Sequence, residues 1–95
     1  MNEFGQDRIA AAHEALSTAA AQPRPEGDPV AVLSELSAVA ALLGELAGAE
    51  QSELAEWGTV GPHLDLARQH AEALARSLRH ASGTLSYNRE LLPAA

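Results

Sequence analysis

Residues 63–92 read HLDLARQHAEALARSLRHASGTLSYNRELL. Within them Leu64, Ala67, Ala71, Leu74, Leu78, Ala81, Leu85 and Leu92 recur at helical spacing, with Asn88 as the polar member of the row. That spacing keeps one stripe of an α-helix apolar, and Arg68, Glu72, Arg76 and Arg79 fall outside it. A stripe roughly 40–45 Å long at 1.5 Å per residue has to be buried against something. The rest of the chain is read for what can cover it.

The preceding stretch, Pro29 to Trp57, is also helical in pattern. Leu33, Leu36, Ala40, Leu43, Ala47, Leu54 and Trp57 share a face, and Val32, Val39 and Leu46 widen it. Asp28-Pro29 is a good helix start, because aspartate can cap free N–H groups and proline suits the first helical position. Between the two helices, WGTVGP at 57–62 holds two glycines and a proline, which a helix does not continue through comfortably. A short loop between helices of equal length implies an antiparallel hairpin, 29–57 with 62–92. Folding about residue 60 pairs Trp57 with His63, Leu46 with Leu74, Val39 with Ala81 and Leu36 with Leu85. Charge agrees with this pairing. Residues 26–56 carry seven acids and no base, whereas residues 63–90 carry four arginines, three histidines and three acids.

Upstream, Ile9, Ala12, Leu16 and Ala19 or Ala20 form a narrow stripe on a short helix within residues 1–21. Few large side chains support it, and an isolated helix of this length is marginal in water. It is expected to pack across the hairpin, with Phe4 extending it or folding back. Residues 22–28, QPRPEGD, form a linker. Gly83 either bends the third helix or is carried within a continuous one, and the stripe through Leu85 favours continuity. The expected fold is a single all-α domain, a helical bundle made of a long antiparallel hairpin and a short N-terminal third helix.

Composition narrows the function. The chain has 95 residues, a formal charge of −7, six arginines, no lysine and no cysteine. Such acidity argues against nonspecific binding to nucleic acid or anionic membranes. The longest apolar run, Ala38–Leu43, is far shorter than a bilayer requires. MNEFGQDR at the N-terminus lacks the basic start and apolar core of a secretory signal. A soluble cytoplasmic protein is expected, and export without a cleaved signal stays compatible with the sequence. Abundant alanine without lysine points to a bacterial source. Without cysteine there is neither a disulfide nor a thiolate site.

Candidate sites are few. His63, Asp65, His70, Glu72 and His80 share one helix, and Glu50 lies on its neighbour. A metal-binding bundle is therefore an alternative, although no Glu-x-x-His pair and no HExxH motif is present. No catalytic residue, metal ligand or cofactor is assigned. Glu50 interrupts the apolar face of the second helix, and the expected register places His70 opposite it, a pair able to fix register. Trp57 is expected to lie against Val60 and Leu64 or Leu66 at the hairpin's end, or else to anchor a partner. Leu42 lies beyond the hairpin face, Leu66 starts a secondary stripe with Ala73 and Ser77, and Tyr87 falls off the main stripe. These six residues, Leu42, Glu50, Trp57, Leu66, His70 and Tyr87, are the interaction candidates.

An equal-armed helical hairpin with a tryptophan beside its turn resembles the WXG100 proteins, small partners and substrates of type VII secretion. Trp57-Gly58-Thr59 stands where that family has Trp-x-Gly, and Leu91 where its C-terminal motif after Tyr87 has an acid. The resemblance implies a secretion-associated hairpin. The residues themselves point first to a non-enzymatic protein–protein interaction module, a small adaptor or regulatory subunit. Its apolar surface exceeds what one neighbour covers, so a protein partner is expected, as a homodimer through a four-helix core or as a heterodimer.

Overall fold

The computed structural model describes residues 3–23 and 27–91. They form three helices, α1 (Glu3–Ala21), α2 (Pro29–Glu53) and α3 (Gly61–Leu91), and no strand. The all-α reading holds. Helix α1 is longer than expected, starting at Glu3. Arg24–Glu26 of the linker, the side chain of Phe4 and the stripe's last member, Leu92, lie outside what is described.

Local chemistry sets the ends of α2 and α3. Asp28 occupies the N-cap in extended conformation (φ −69°, ψ 126°) and Pro29 opens the helix, as the sequence suggests. The Asp28 carboxylate makes no capping hydrogen bond, however, and pairs with Arg89 near the end of α3 instead. Helix α2 stops at Glu53, short of the expected Trp57. The Leu54 N–H still donates to the Glu50 carbonyl at 2.8 Å, after which the chain tightens into turns. The Trp57 N–H donates to Leu54, and the Trp57 carbonyl accepts from Val60 at 2.9 Å and Gly61 at 3.4 Å. The Val60 carbonyl, accepting from the Leu64 N–H at 3.1 Å, then opens α3. Helix α3 runs unbroken through Gly83.

Contacts between α2 and α3 advance along one helix while receding along the other. Asp28 meets Arg89, and Val30 and Ser34 meet Ser82. Further along, Ser37 meets Ala75, Gly44 meets Ala71, and Gly48 meets Arg68. This register differs from the one expected by more than a helical turn. The reason is the early end of α2, which moves the centre of the fold towards the N-terminal side of residue 60.

The side chains in the seam also differ from those expected. In α2 the buried and half-buried positions include a row at alternating intervals of three and four, Val30, Leu33, Ser37, Ala40, Gly44, Ala47 and Gln51, with Val32, Val39 and Gly48 half-buried beside it and Leu54 continuing it just past the helix. In α3 they include Leu64, Arg68, Ala71, Ala75, Leu78, Ser82 and Leu85, with the same alternation, and Gly61, Asp65, Ala73 and Ser86 are half-buried as well. This is the heptad spacing of two helices packed at a shallow angle. The middle of the seam is built from small residues. Ala40 (2% exposed) and Ala75 (4%) are the buried hydrophobic residues among those described. A Cβ placed on Gly44 would sit 3.5 Å from the Ala71 Cβ and 3.6 Å from the Arg68 carbonyl oxygen, so the helices approach closely there.

Hydroxyl groups pin this close approach. Ser37 Oγ donates to the Ala75 carbonyl at 2.8 Å, and Ser82 Oγ donates to the Val30 carbonyl at 3.1 Å. The single Ser82 proton is thereby used, so Ser34 is the donor in the 3.0 Å Ser34–Ser82 contact. Among the described residues no buried side-chain polar atom lacks a partner.

Helix α1 does not pack across the hairpin. Among the described residues no α1 Cα lies within 8 Å of a Cα in α2 or α3. The molecule is elongated, 59 × 24 × 17 Å, with a radius of gyration of 16.7 Å. A compact chain of this length would have a radius of about 12 Å. The weakness read in α1, too few large apolar residues, accounts for its failure to dock.

Candidate interaction face

The seam divides the surface of the packed α2–α3 pair into two unlike sides. On one side, Ala41, Gly44, Glu45, Gly48, Arg68, Glu72, Arg76 and Arg79 line a shallow groove. Glycine and alanine make its floor and charge makes its walls. Arg68 anchors the α3 wall, donating to Asp65 at 2.7 Å and to Glu72 at 3.0 Å, while Gln69 also donates to Asp65 at 2.7 Å. The Asp65 hydrogen bond, followed by the Glu72 charge, raises the Arg68 pKa above its ordinary value. These partners leave Arg68 little capacity for a ligand.

The opposite side is apolar. Val32, Leu36, Val39, Leu43 and Leu46 follow one another along α2 at intervals of four and three, a second heptad row beside the seam. Ala41 and Gly48 flank the seam towards the charged groove, so Leu36 and Leu43 flank it on the other side. By the same projection Ala67, Leu74 and Ala81 of α3 lie opposite Glu72, Arg76 and Arg79, on the side of the leucines. Leu43 is 51% exposed and Leu74 50%. Near the start of α2 this side continues into a hollow lined by Leu16 of α1 with Ala31, Val32, Leu36 and Val39, and by the acids Asp28 and Glu35. Leu36, Leu43, Leu46 and Leu74 thus stand largely outside the seam, whose buried centre is small and whose half-buried flanks include Leu33, Leu64, Leu78 and Leu85.

The six residues singled out from the sequence are all exposed, but the structure does not bring them together. Leu42 lies on the back of α2. Leu66 and Tyr87 lie on the back of α3. Trp57, placed by the sequence against Val60 and Leu64 or Leu66 or else free to anchor a partner, is in the turn with 60% of its surface exposed. A turn held by backbone hydrogen bonds alone leaves the indole nothing to pack on. Glu50 and His70 do not face one another, because the register that sets Gly48 against Arg68 displaces the expected pairing. Both are exposed, with Glu50 prolonging the leucine row as a polar end.

Sequence reasoning missed the leucine row as a free surface because it assigned Leu36, Leu43 and Leu46 to the hairpin seam. The available signal was the pair of interleaved rows in α2, one of small residues including Gly44 and Gly48, the other of valine and leucine. His13, His63, His70 and His80 are exposed, and among the described residues no three metal-ligating side chains converge.

Helix α2 also has the length and composition of a membrane-crossing helix, with a mean hydropathy of 1.8 over 18 residues of which 17% are buried. An uninterrupted apolar run gave no hint of this, because Glu35 and Glu45 interrupt the stretch without lowering its average far. The class of molecule defined so far is an all-α helical bundle in which the packed α2–α3 pair has one charged side and one leucine-rich side. No protein-family model, curated protein or solved structure matches the chain.

Proposed function

We propose that this chain is a non-enzymatic protein–protein interaction module, a small adaptor or regulatory subunit. In this reading α2 and α3 form an antiparallel hairpin whose leucine side is the docking surface for a helical partner. The observation that carries it is the row of large aliphatic side chains left exposed beside the seam. The fully buried residues of α2 and α3 are Ser37, Ala40, Gly44, Ala75 and Ser82, while Leu36, Leu43, Leu46 and Leu74 stand half in water. Soluble monomers rarely leave a contiguous strip of this kind uncovered, and such strips mark interaction sites.

A protein surface suits the strip better than lipid. Helix α2 carries Glu35, Glu45, Glu50 and Glu53, and each acid held at mid-bilayer costs about 2.5–3.5 kcal/mol. Its neighbour α3 brings Arg68, Arg76 and Arg79 alongside. Acids and bases at the borders of an apolar strip make instead the polar rim of a protein interface. The test is affinity capture by the intact chain. Leu43→Glu with Leu74→Glu abolishes partner capture, and Arg76→Glu on the charged side leaves it unchanged. The reverse pattern refutes the reading.

A further inference from the structure

We infer that α1 is a strap for the leucine side, seen here in its open position, which closes by laying Leu16, Ala12 and Ile9 along Leu36, Val39 and Leu43. The inference rests on the docking-face reading above and gives that face a competitor within the same chain. Contact at one end is the first argument. Leu16 already lines the hollow beside Val32, Leu36 and Val39, although among the described residues no α1 Cα comes within 8 Å of a Cα in α2. One side chain of α1 thus reaches the row while the helix itself stands away from it.

Spacing is the second argument. The C-terminal end of α1 leads into the start of α2, so a helix laid back along α2 runs antiparallel to it. Ile9 and Leu16, the large apolar side chains among the described α1 residues, are seven residues apart, about 10.5 Å along a helix. Leu36 and Leu43 are separated by the same seven residues. With Leu16 seated beside Leu36, Ile9 therefore arrives at Leu43. Ala12 arrives at Val39 between them, and Ala19 arrives at Val32. These four residues are the single apolar stripe of α1, so one face of the helix makes every contact.

A pivot stands between the two helices. Gly27 has φ 103°, and a Cβ there meets nothing within 4 Å. Glycine passes between positive and negative φ without a steric penalty, so the direction in which α1 leaves α2 is free to change at this residue. Closure shields leucines that otherwise stand in water, but it is weak. Alanine makes up most of the stripe, and the poverty of large side chains that leaves α1 undocked here also makes it easy to displace. A helical partner presenting a full row of leucine or valine buries more apolar area on the same face and drives the strap off.

The experiment combines disulfide trapping with binding of a hydrophobic dye to the intact chain, which has no cysteine of its own. Ala12→Cys with Val39→Cys leaves Ile9, Leu16, Leu36 and Leu43 in place. The two Cα atoms are more than 8 Å apart in this structure, beyond what a disulfide spans without movement. Ala12→Cys with Ala41→Cys, which lies on the charged side, is the control. The expected result is an intramolecular bridge in the first pair, read as a mass loss in the monomer, formed faster than in the control. The bridged chain loses dye and regains it on reduction, Leu16→Ser binds more dye than the wild type, and Leu43→Glu binds less. Equal rates for the two pairs, no bridge in the first, or a bridge that leaves the dye bound overturns the strap. The docking face then stands as long as Leu43→Glu still removes the dye. Dye binding indifferent to Leu43→Glu overturns both.

Discussion

The substitution Gly44→Ala adds one methyl group at the closest point of the α2–α3 seam. Its Cβ would lie 3.5 Å from the Ala71 Cβ, 3.6 Å from the Arg68 carbonyl oxygen and 3.7 Å from the Glu72 Cγ. These are ordinary van der Waals contacts, so the methyl group fits without moving α3. Alanine in a helix interior is favoured over glycine by about 0.8–1.0 kcal/mol. For a domain of this size 1 kcal/mol corresponds to roughly 4–8 °C in melting temperature. The melting temperature should therefore rise by about that amount, read by circular dichroism at 222 nm. Gly44→Leu asks for three further carbons in the same place, where the Arg68 backbone cannot yield as a flexible side chain would. Overpacking of this kind costs about 1–3 kcal/mol, so the leucine variant should melt well below the alanine variant. A leucine variant as stable as the alanine one would mean that position 44 has room, and the small-residue seam would be refuted.

Three further outcomes follow from the geometry. Gly83→Ala should stabilise α3 by about 0.8–1.0 kcal/mol, because Gly83 is helical and a Cβ there meets nothing within 4 Å; destabilisation would show that the helix breaks at that point. Leu43→Ala, at a side chain 51% exposed, should cost the dilute hairpin about 1 kcal/mol, roughly half a full leucine transfer, and a loss of about 2–5 kcal/mol in chemical denaturation would place Leu43 in the core instead. The hydrogen bond from Arg89, with the charge of that guanidinium, holds the Asp28 carboxyl below its ordinary pKa of 3.8. The stability this pair contributes is thus fully present above the ordinary value and lost as pH falls through the depressed one. Arg89→Gln should move the Asp28 titration upward in an NMR pH series, and an unmoved titration contradicts the pair.

Helix positions were legible because their punctuation is local. Asp28-Pro29 and Gly61-Pro62 act within a few residues, and the three-and-four spacing of α3 survives whatever packs against it. The early end of α2 was not legible, since Leu54–Trp57 carries no glycine or proline and its turns form through backbone hydrogen bonds. Register depended on that end and moved with it. The choice of seam was the larger omission. Periodicity shows which residues share a face, but α2 has two faces at heptad spacing, and hydrophobicity alone favours the leucine one. Close approach of backbones favours the other, because Gly44 against Ala71 and the Ser37 and Ser82 hydrogen bonds require small side chains between the helices. Residues such as Trp57 and Tyr87 stood out by type, whereas Leu36, Leu43 and Leu74 looked like ordinary core. An exposed surface made of core-like residues is legible only after the core has been located.

Disulfide trapping tests most directly which row of α2 faces α3. In the small-residue seam the Cβ positions of residues 44 and 71 are 3.5 Å apart, within the separation a disulfide spans. Gly44→Cys with Ala71→Cys should oxidise rapidly to an intramolecular bridge in dilute protein, detected as a loss of two mass units in the monomer. Leu46→Cys with Leu74→Cys should form no such bridge within one chain. Efficient intramolecular closure of the second pair, with failure of the first, would put the leucines inside the hairpin and contradict the account.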